Sequence, residues 1–503
     1  MLKFNKKVLE ILNSKRFYYF IIILFIFEAC WIAFTARYPM AFDEDFHYGI
    51  IKLYAHQYSP IFAHQPSNSS QFGALTRDPS YLYHYLLSYP FRIFNYLFKN
   101  DTSNIIFLRI LNIAMFTAAI VVYKNLFNKY LKLTNSLVNT ILLFFVLTPI
   151  VPLLAAQINY DNLLVLCSAV TFTLAYKFIG QIKNSNYFDI KTFILLFSIC
   201  MLSSLVQYAF LPIFVTTFVY ILIIIVKSYK YNSKKLINSL RSSFKKLKRP
   251  IAVILAVIFI VSLGLFLEKD GYNTIKYHTP VPDCSKVLSV NECKLYAPWQ
   301  RNYTFETTKS RDIDYNLINY SFDWFHNYFF YSLFYSLNGS AGGYTLGGPL
   351  PLIQVVGVLV FFTGVVLFII YHRKIFKNNN LLFYTFIVSS LYLLTLWIQN
   401  YSDFLKTGFA VAEQGRYLIV ILLPSYALVA ISFRQFLVNY KRYKPILTIA
   451  ILLIFLQGGG ITTYMLTSDS TWYWQNSNAV NKVGSEAQKV IKHVIVHHKS
   501  STY

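Results

Sequence analysis

Charged residues are scarce in this sequence of 503 residues, and acidic residues are scarcer than basic ones. Only 13% of the chain is charged, with 21 Asp and Glu against 46 Lys and Arg, whereas about 25% is usual for a soluble globular domain. Five cysteines are too few to staple a secreted fold of this length. A disordered chain is also excluded, because 56% of the residues are apolar or aromatic.

Apolar stretches of about 20 residues recur along the whole chain, and this is the length that crosses a bilayer as a helix. The sequence therefore predicts an all-α polytopic membrane protein with about eleven transmembrane helices, rather than a soluble α/β enzyme. The predicted spans lie roughly at 17–36, 104–124, 137–156, 161–178, 192–210, 211–227, 250–267, 350–371, 381–398, 416–433 and 446–467.

The distribution of basic residues predicts how the chain is oriented. With the N-terminus inside, the short inner segments hold 27 of the 46 Lys and Arg, as expected for loops that face anionic cytoplasmic lipid. The net charge of +25 is thus explained by a membrane partner, and not by nucleic acid. We expect a multi-pass protein of the cell membrane.

The same orientation divides the chain into regions. These are an N-terminal transmembrane module 1–267 with a first outer loop 37–103, an extracytoplasmic loop 268–349, C-terminal helices 350–467 and an outer tail 468–503. Cys284 and Cys293, with eight residues between them on the oxidising side, predict a disulfide. Since no nucleotide-binding loop is present, we expect any chemistry to lie in the outer segments.

The first outer loop opens with FDEDFHYG at 42–49, which holds three of the few acidic residues. At helical spacing, Asp43 and His47 lie on one face, and clustered carboxylates raise the pKa of at least one of them toward that of a working base. The alternative is an acidic cap that only helps to orient the first span. Further on, RDPSYLYHYL at 77–86 predicts a helix start capped by Asp78, and we expect one or two surface helices over 79–98, interrupted at Pro90.

The order of these features resembles the GT-C superfamily of membrane glycosyltransferases. FDEDFHYG resembles the Asp-Glu-x-His-Phe-Gly motif of the protein O-mannosyltransferases, with one extra residue before the His, and is closer to predicted bacterial transferases with Asp-Glu-x-x-His. RDPSYLYHYL resembles their His-Pro-Pro-Leu-Tyr-Tyr turn, with Asp78 for His and Ser80 for the second Pro. LRILN around Arg109, QINYDNLL at 157–164 and EQGRYLIVILLP at 413–424 resemble three further motifs of these and of aminoarabinose-transferase-like proteins.

The resemblance implies a donor sugar on a polyprenyl phosphate and a catalytic acid in the first loop. Carried over, Asp43 is the first choice for the base that deprotonates the acceptor, and Glu44 is the second. His47 would orient the base or contact phosphate, or would only make a structural hydrogen bond. Asp161, with Asn159, would act from the start of the fourth span, the alternative being that Asp161 caps that helix.

Cationic residues at the predicted outer ends of spans are the candidates for binding the donor phosphate. Arg416, followed by Tyr417, presents a guanidinium that matches phosphate oxygens, and Arg109 could act likewise from the second span. Both arginines could instead snorkel to the interface or pair with an acid. Asp78 completes the set of expected substrate-binding residues.

These observations predict an inverting glycosyltransferase that passes a sugar from a polyprenyl-phosphate donor to a glycan, lipid or protein acceptor on the outer face. No cofactor is required, although the acids at 43–45 could hold a divalent cation; no resident metal site is predicted. The alternative is a flippase or transporter of lipid-linked saccharide, which needs ionisable residues near the midplane. Glu28 is the main such residue. A non-catalytic scaffold is a third interpretation.

Overall fold

The structure is a computed structural model that describes residues 2–40, 42–230, 233–308, 316–333, 352–377, 379–438, 448–453, 455, 459–467, 472–474 and 482–490. Within these ranges the chain is built from helices, and the only β-type pairing is an isolated bridge between Ala36 and Tyr473. The all-α class predicted from the apolar runs is confirmed for the part of the chain that is described.

The helices of the N-terminal half include the first outer loop. They are α1 (Leu2–Asn13), α2 (Lys15–Thr35), α3 (Glu44–Tyr54), α4 (Leu82–Phe98), α5 (Asp101–Lys129), α6 (Asn135–Val146), α7 (Ile150–Ala155), α8 (Asp161–Ser185), α9 (Ile190–Val206), α10 (Leu211–Tyr229) and α11 (Ser233–Lys245).

The helices of the C-terminal half begin with one that is extended by a π-helical turn at Leu267–Gly271. They are α12 (Arg249–Phe266), α13 (Tyr272–Tyr277), α14 (Val290–Cys293), α15 (Ala297–Thr308), α16 (Leu317–Phe325), α17 (Leu352–Phe376), α18 (Asn380–Thr407), α19 (Ile419–Leu437) and α20 (Ile461–Thr467).

In the described part of the chain, eight helical segments are long and apolar enough to cross a membrane. They are Lys15–Thr35, Asp101–Lys129, Asp161–Ser185, Tyr208–Tyr229, Arg249–Tyr277, Val355–Phe376, Asn380–Thr407 and Gly415–Leu437. Many of their large apolar side chains face outward, as on α12, where Val253, Ile254, Val257 and Ile260 are each more than half exposed. Such a surface needs lipid around it, so the protein is a multi-pass membrane protein.

The predicted number of eleven spans is not reached among the described residues. The stretch 137–156 is not one span: Pro149 lacks the N–H that would continue α6, and the chain breaks there into α6 and α7. The stretch 192–210 forms only the shorter helix α9, which the turn at Tyr208–Phe210 separates from α10. Much of 446–467, and the glycine-rich run 338–349, lie outside the described residues.

Two spans form the centre of the bundle. Asp161–Ser185 and Gly415–Leu437 are the most buried of the eight, whereas Arg249–Tyr277 and Val355–Phe376 are the least buried. Helix α8 packs against α5 and α9, and α19 packs against α17 and α6. Both central spans begin at a residue that the sequence singled out, Asp161 in one case and Gly415-Arg416 in the other.

The first outer loop folds onto the ends of these spans through α3 and α4. Helix α4 buries Tyr83, His84 and Phe91, while Tyr96 and Leu97 remain exposed, which suits a helix lying at a membrane surface. The predicted interruption at Pro90 is wrong: α4 continues through it, with Leu87 and Phe91 buried on either side. The predicted disulfide between Cys284 and Cys293 is confirmed.

Candidate active site

The turn before α3 shapes the candidate site. Phe42 and Asp43 both have positive φ, of 63° and 64°, a conformation that costs energy for any residue with a Cβ. This backbone aims the Phe42 carbonyl oxygen at two donors, Nη1 of Arg416 at 3.0 Å and Nδ2 of Asn159 at 3.1 Å. Strained backbone that is held by several side chains is characteristic of functional sites.

Asp43 and Arg416 form an ion pair across this turn. Nη2 of Arg416 donates to Oδ2 of Asp43 at 3.0 Å, and the side chains differ sharply in exposure, 61% for Asp43 and 4% for Arg416. The rings of Phe42 and Tyr417 flank the guanidinium, and Nη2 also donates to the Tyr417 hydroxyl at 3.3 Å. Nε of Arg416 is buried and has no partner among the described residues, so one donor stays available beside an accessible carboxylate.

Glu44 and Arg109 form a second ion pair, which is fully buried. Nε and Nη2 of Arg109 donate to the two Glu44 oxygens at 2.8 and 2.7 Å. Each carboxylate oxygen accepts a further bond from a backbone N–H, that of Ile158 or Met40. The other N–H groups of Arg109 donate to the carbonyl oxygens of 33, 36 and 37.

This saturation corrects two expectations from the sequence. All four acceptor directions of the Glu44 carboxylate and all five donors of Arg109 are used within the protein. Glu44 therefore has no oxygen left to take a proton from an acceptor, and Arg109 has no N–H left for a phosphate. The pair instead anchors α3 and α5 to the end of α2.

Asp161 lies at the first turn of α8 and is completely buried. Neither of its carboxylate oxygens has a hydrogen-bond partner among the described residues, and the charges of Arg416 and Asp43 are the ones that reach it. The backbone N–H of Asp161 is instead capped by Oδ1 of Asn159 at 2.9 Å. The alternative that Asp161 caps the helix is thus not what the structure has, and Asn159 positions the turn rather than offering a free amide.

His47 and His84 form a buried pair behind the ion pair of Asp43. Nδ1 of His47 and Nε2 of His84 are 2.9 Å apart, and the ring of Tyr160 packs edge-on against His47. Burial, the neighbouring imidazole and the charge of Arg416 hold the pKa of His47 well below its usual range. Burial also lowers the pKa of His84 to about 3. Both rings are therefore neutral at physiological pH.

Asp78 lies at the far side of the candidate site. Its Oδ1 accepts a hydrogen bond from the Ser80 N–H at 2.9 Å. The predicted helix start capped by Asp78 is nevertheless wrong, because α4 begins at Leu82 and its N-cap residue is Tyr81. Burial raises the pKa of Asp78 above its usual range, against the opposing effects of that bond and of Lys269. Burial, together with the carboxylates of Asp78 and Asp43, also raises the pKa of the Tyr296 phenol.

The acids at 43–45 do not converge on one point. Glu44 turns inward to Arg109, while Asp43 and Asp45 are exposed. Among the residues that the structure describes, no three His, Cys, Asp or Glu side chains are arranged to hold a metal ion. The oxygen cage that a divalent cation needs is not formed by these three acids.

Sequence reasoning missed several residues of the site. His84 and Tyr296 are separated by 37 and more residues from the groups they meet, and Tyr296 lies in a loop that no motif covers. Lys269 and Asp270 lie just after the predicted span 250–267, at the start of the loop predicted over 268–349. The sequence does indicate Lys269 and Asp270, because charged residues at the end of an apolar helix are functional candidates by default.

Comparison with known proteins adds no assignment: no family model matches the chain, and no curated protein is significantly similar to it.

Proposed function

We propose that the protein is a membrane glycosyltransferase of the GT-C type. It would transfer a sugar from a polyprenyl-phosphate donor to a glycan, lipid or protein acceptor of the cell envelope, at the extracytoplasmic face of the cell membrane. The observation that carries the proposal is the pairing of an exposed carboxylate, Asp43, with a buried guanidinium, Arg416, at 3.0 Å. A base open to the acceptor and a cation beside it are what such a transfer needs.

The proposed reaction is a single displacement with inversion. Asp43 accepts the proton of the acceptor hydroxyl as the hydroxyl oxygen attacks the anomeric carbon. The bond from that carbon to the phosphate oxygen breaks, and its electron pair leaves with the polyprenyl phosphate. Arg416 stabilises the charge that develops there, because its Nε is unpartnered and its guanidinium is fixed by Phe42 and Tyr417.

Asp161, whose charge interacts with those of Arg416 and Asp43, supports this assignment. A fully buried carboxylate with no hydrogen-bond partner stabilises nothing in the fold by itself, and its place beside Arg416 and Asp43 suits a ligand that donates hydrogen bonds. A carboxylate near the anomeric carbon also stabilises an oxocarbenium-like transition state.

The carrier alternative receives less support from the described residues. Glu28, the acid inside the first span, faces the backbone at Gly460 and Ile461, and its Oε1 accepts from the Ile461 N–H at 3.5 Å. The other acids of the candidate site stand at the ends of spans and not near their centres. This arrangement favours interfacial chemistry over alternating access.

The test is native mass spectrometry of the purified protein with its bound lipids, comparing wild type with Asp43→Asn. We expect the wild type to hold spent polyprenyl phosphate and the variant to accumulate the sugar-bearing form. Asp45→Asn is the matched control, since Asp45 is a neighbouring exposed acid, and it should behave like the wild type.

Two results would overturn the proposal. One is that all three proteins hold only ordinary phospholipid and also fail to take up added polyprenyl-phosphate sugar. The other is a complete oligosaccharide-lipid that is bound equally by all three, which would indicate a carrier.

A further inference from the structure

A second group of buried polar residues lies where α12 ends. The π-helical turn Leu267–Gly271 inserts an extra residue and turns Lys269 and Asp270 into the protein, followed by Asn273 on α13. These three side chains are at most 4% exposed. They adjoin Asp78 and the ring of Tyr81, and we call this set of five residues the α12-end cluster. Single π-helical turns of this kind occur frequently at functional sites.

Several buried acceptors of the α12-end cluster receive no hydrogen bond from the described residues. Nζ of Lys269 donates to the Thr76 carbonyl at 2.7 Å, and the amide nitrogen of Asn273 donates to the carbonyls of Arg77 and Pro280. In contrast, both carboxylate oxygens of Asp270 and Oδ1 of Asn273 are buried without a partner among the described residues. Unmet buried acceptors are costly, and they favour a ligand that brings hydrogen-bond donors.

The charges around the cluster disfavour an anionic ligand. Arg77 is already paired with Glu268 at 2.6 Å, and Lys269 lies 3.9 Å from the other Glu268 oxygen. With Asp78 and Asp270 included, the carboxylates of this region outnumber its two cations, Arg77 and Lys269, by one. A phosphate or a uronic acid would meet net negative charge, whereas hydroxyl or ammonium groups would meet acceptors.

The cluster approaches the Asp43 site at Tyr296. The charges of Asp78 and Asp43 both act on the Tyr296 phenol, and its ring packs against that of Phe46, three residues after Asp43, with ring centroids 5.9 Å apart. The Tyr81 ring lies beneath the Lys269 ammonium, 5.2 Å from the ring centroid, and holds that cation within the cluster.

We propose that the α12-end cluster is the sugar subsite of the donor and selects a non-anionic sugar, whose hydroxyl or ammonium groups donate to Asp270 and to Oδ1 of Asn273. This inference rests on the proposed glycosyltransferase function and adds the class of sugar. Asp270 and Asn273 determine specificity here, while Asp43 and Arg416 serve the reacting bond.

The experiment compares four lipids binding to the full-length protein in nanodiscs. The probes are short-chain polyprenyl phosphate alone and its glucosyl, 4-amino-arabinosyl and glucuronyl derivatives. We expect wild type to bind the glucosyl or amino-arabinosyl lipid at least about 10-fold more tightly than the glucuronyl lipid. Asp270→Asn should weaken the preferred sugar-lipid about 10- to 100-fold and leave bare polyprenyl phosphate unchanged. Glu306 is an exposed acid on α15, and Glu306→Gln should change neither the affinity for the sugar-lipid nor that for bare polyprenyl phosphate.

The outcomes separate the two proposals. If wild type binds none of the four lipids, the glycosyltransferase proposal fails, and the subsite fails with it. If it binds them but prefers the glucuronyl lipid, or if Asp270→Asn weakens bare and sugar-bearing lipids alike, only the subsite is overturned.

A series of deoxy-glucosyl lipids tested on the wild type covers the case in which Asp270→Asn does not fold. Loss of one hydroxyl should then weaken binding about 10-fold or more at one or two positions. A loss of affinity of less than about 2-fold at every position would overturn the subsite.

Discussion

Glu44 and Arg109 form a bidentate ion pair in which neither side chain has any exposure to solvent. The pair joins two motifs that are 65 residues apart, and through the Ile158 N–H it reaches a third. A buried ion pair of this kind is strongly destabilised when one partner is removed, because the other charge remains without compensation.

We therefore predict that Arg109→Met or Glu44→Gln lowers the free energy of unfolding by about 3–5 kcal/mol. The double variant should lose less than the sum of the two single variants, since it leaves no unpaired charge behind. Thermal unfolding in detergent measures this directly. Strictly additive losses would mean that the two side chains do not act as a pair.

Much of the fold could be predicted from hydropathy, because a membrane helix must be apolar over about 20 residues whatever it packs against. The spans starting at Asp161 and Arg416 were found in this way. The break at Pro149 and the continuity through Pro90 were not, since tertiary packing decides whether a proline ends a helix.

The candidate site could be predicted only as a set of residues. The sequence placed Asp43, Glu44, Asp161 and Arg416 on one side of the membrane, but adjacent acids on a helix turn point in different directions. Whether Asp43 or Glu44 would meet a distant arginine depends on the positive φ at 42–43, which no motif discloses. The structure thus separates a buried structural acid, Glu44, from an exposed one, Asp43.

Asp161 gives the second prediction, because a ligand-binding carboxylate and a capping carboxylate differ in their effect on stability. Asp161→Asn should leave the free energy of unfolding unchanged or raise it, since the change removes a buried carboxylate whose oxygens have no hydrogen-bond partner among the described residues. Asp189→Ala is the contrast: Asp189 caps α9 by accepting from the Thr192 backbone and hydroxyl, and its loss should cost about 1 kcal/mol.

The same pair of variants should show the opposite order in sugar transfer. Asp161→Asn should reduce turnover of a polyprenyl-phosphate sugar about 100-fold or more, and Asp189→Ala should leave turnover near that of wild type. Equal turnover in the two variants would remove Asp161 from the site.

The third prediction concerns the backbone at Asp43. Asn adopts positive φ at least as readily as Asp because its short polar side chain bonds locally, whereas Ala does not. Asp43→Ala should therefore be less stable than Asp43→Asn by about 1 kcal/mol, although both remove the same charge. Melting temperatures of the two variants test this, and equal values would show that the turn relaxes when its ion pair with Arg416 is lost.

The fourth prediction is a loss of stability on acidification through His47 and His84. Both have folded-state pKa values below the unfolded value, so the unfolded chain binds more protons below about pH 6.5, and for His84, whose pKa is about 3 in the folded state, this window extends down to about pH 3. Stability is fully present above about pH 6.5 and falls as the pH decreases through this window, by up to about 1.4 kcal/mol per pH unit for each ring.

The check is the pH dependence of unfolding in the double variant His47→Gln, His84→Gln. Between pH 6.5 and 4.5, the free energy of unfolding of this variant should change less steeply with pH than that of the wild type. His278→Gln supplies a control, because His278 is an exposed side chain that directly follows α13 and does not contact the His47–His84 pair. An unchanged slope in the double variant would mean that acidic groups alone set the acid sensitivity.

The fifth prediction uses two glycines in unlike surroundings. Gly460 has φ +56°, and a Cβ added there would overlap the carboxylate of Glu28. Gly180 lies inside α8, and a Cβ added there would meet nothing within 4 Å. Gly460→Ala should therefore destabilise the protein by more than about 1 kcal/mol, whereas Gly180→Ala should be neutral or stabilising by up to about 1 kcal/mol.

A second substitution separates the two causes of the loss at Gly460. Combining Gly460→Ala with Glu28→Ala removes the overlap but keeps the positive φ, so stability should recover in part and not completely. Thermal unfolding of the four proteins in one detergent gives the comparison. Full recovery would assign the whole effect to the Glu28 contact, and no recovery would show that the backbone conformation alone requires glycine where the chain passes the first span.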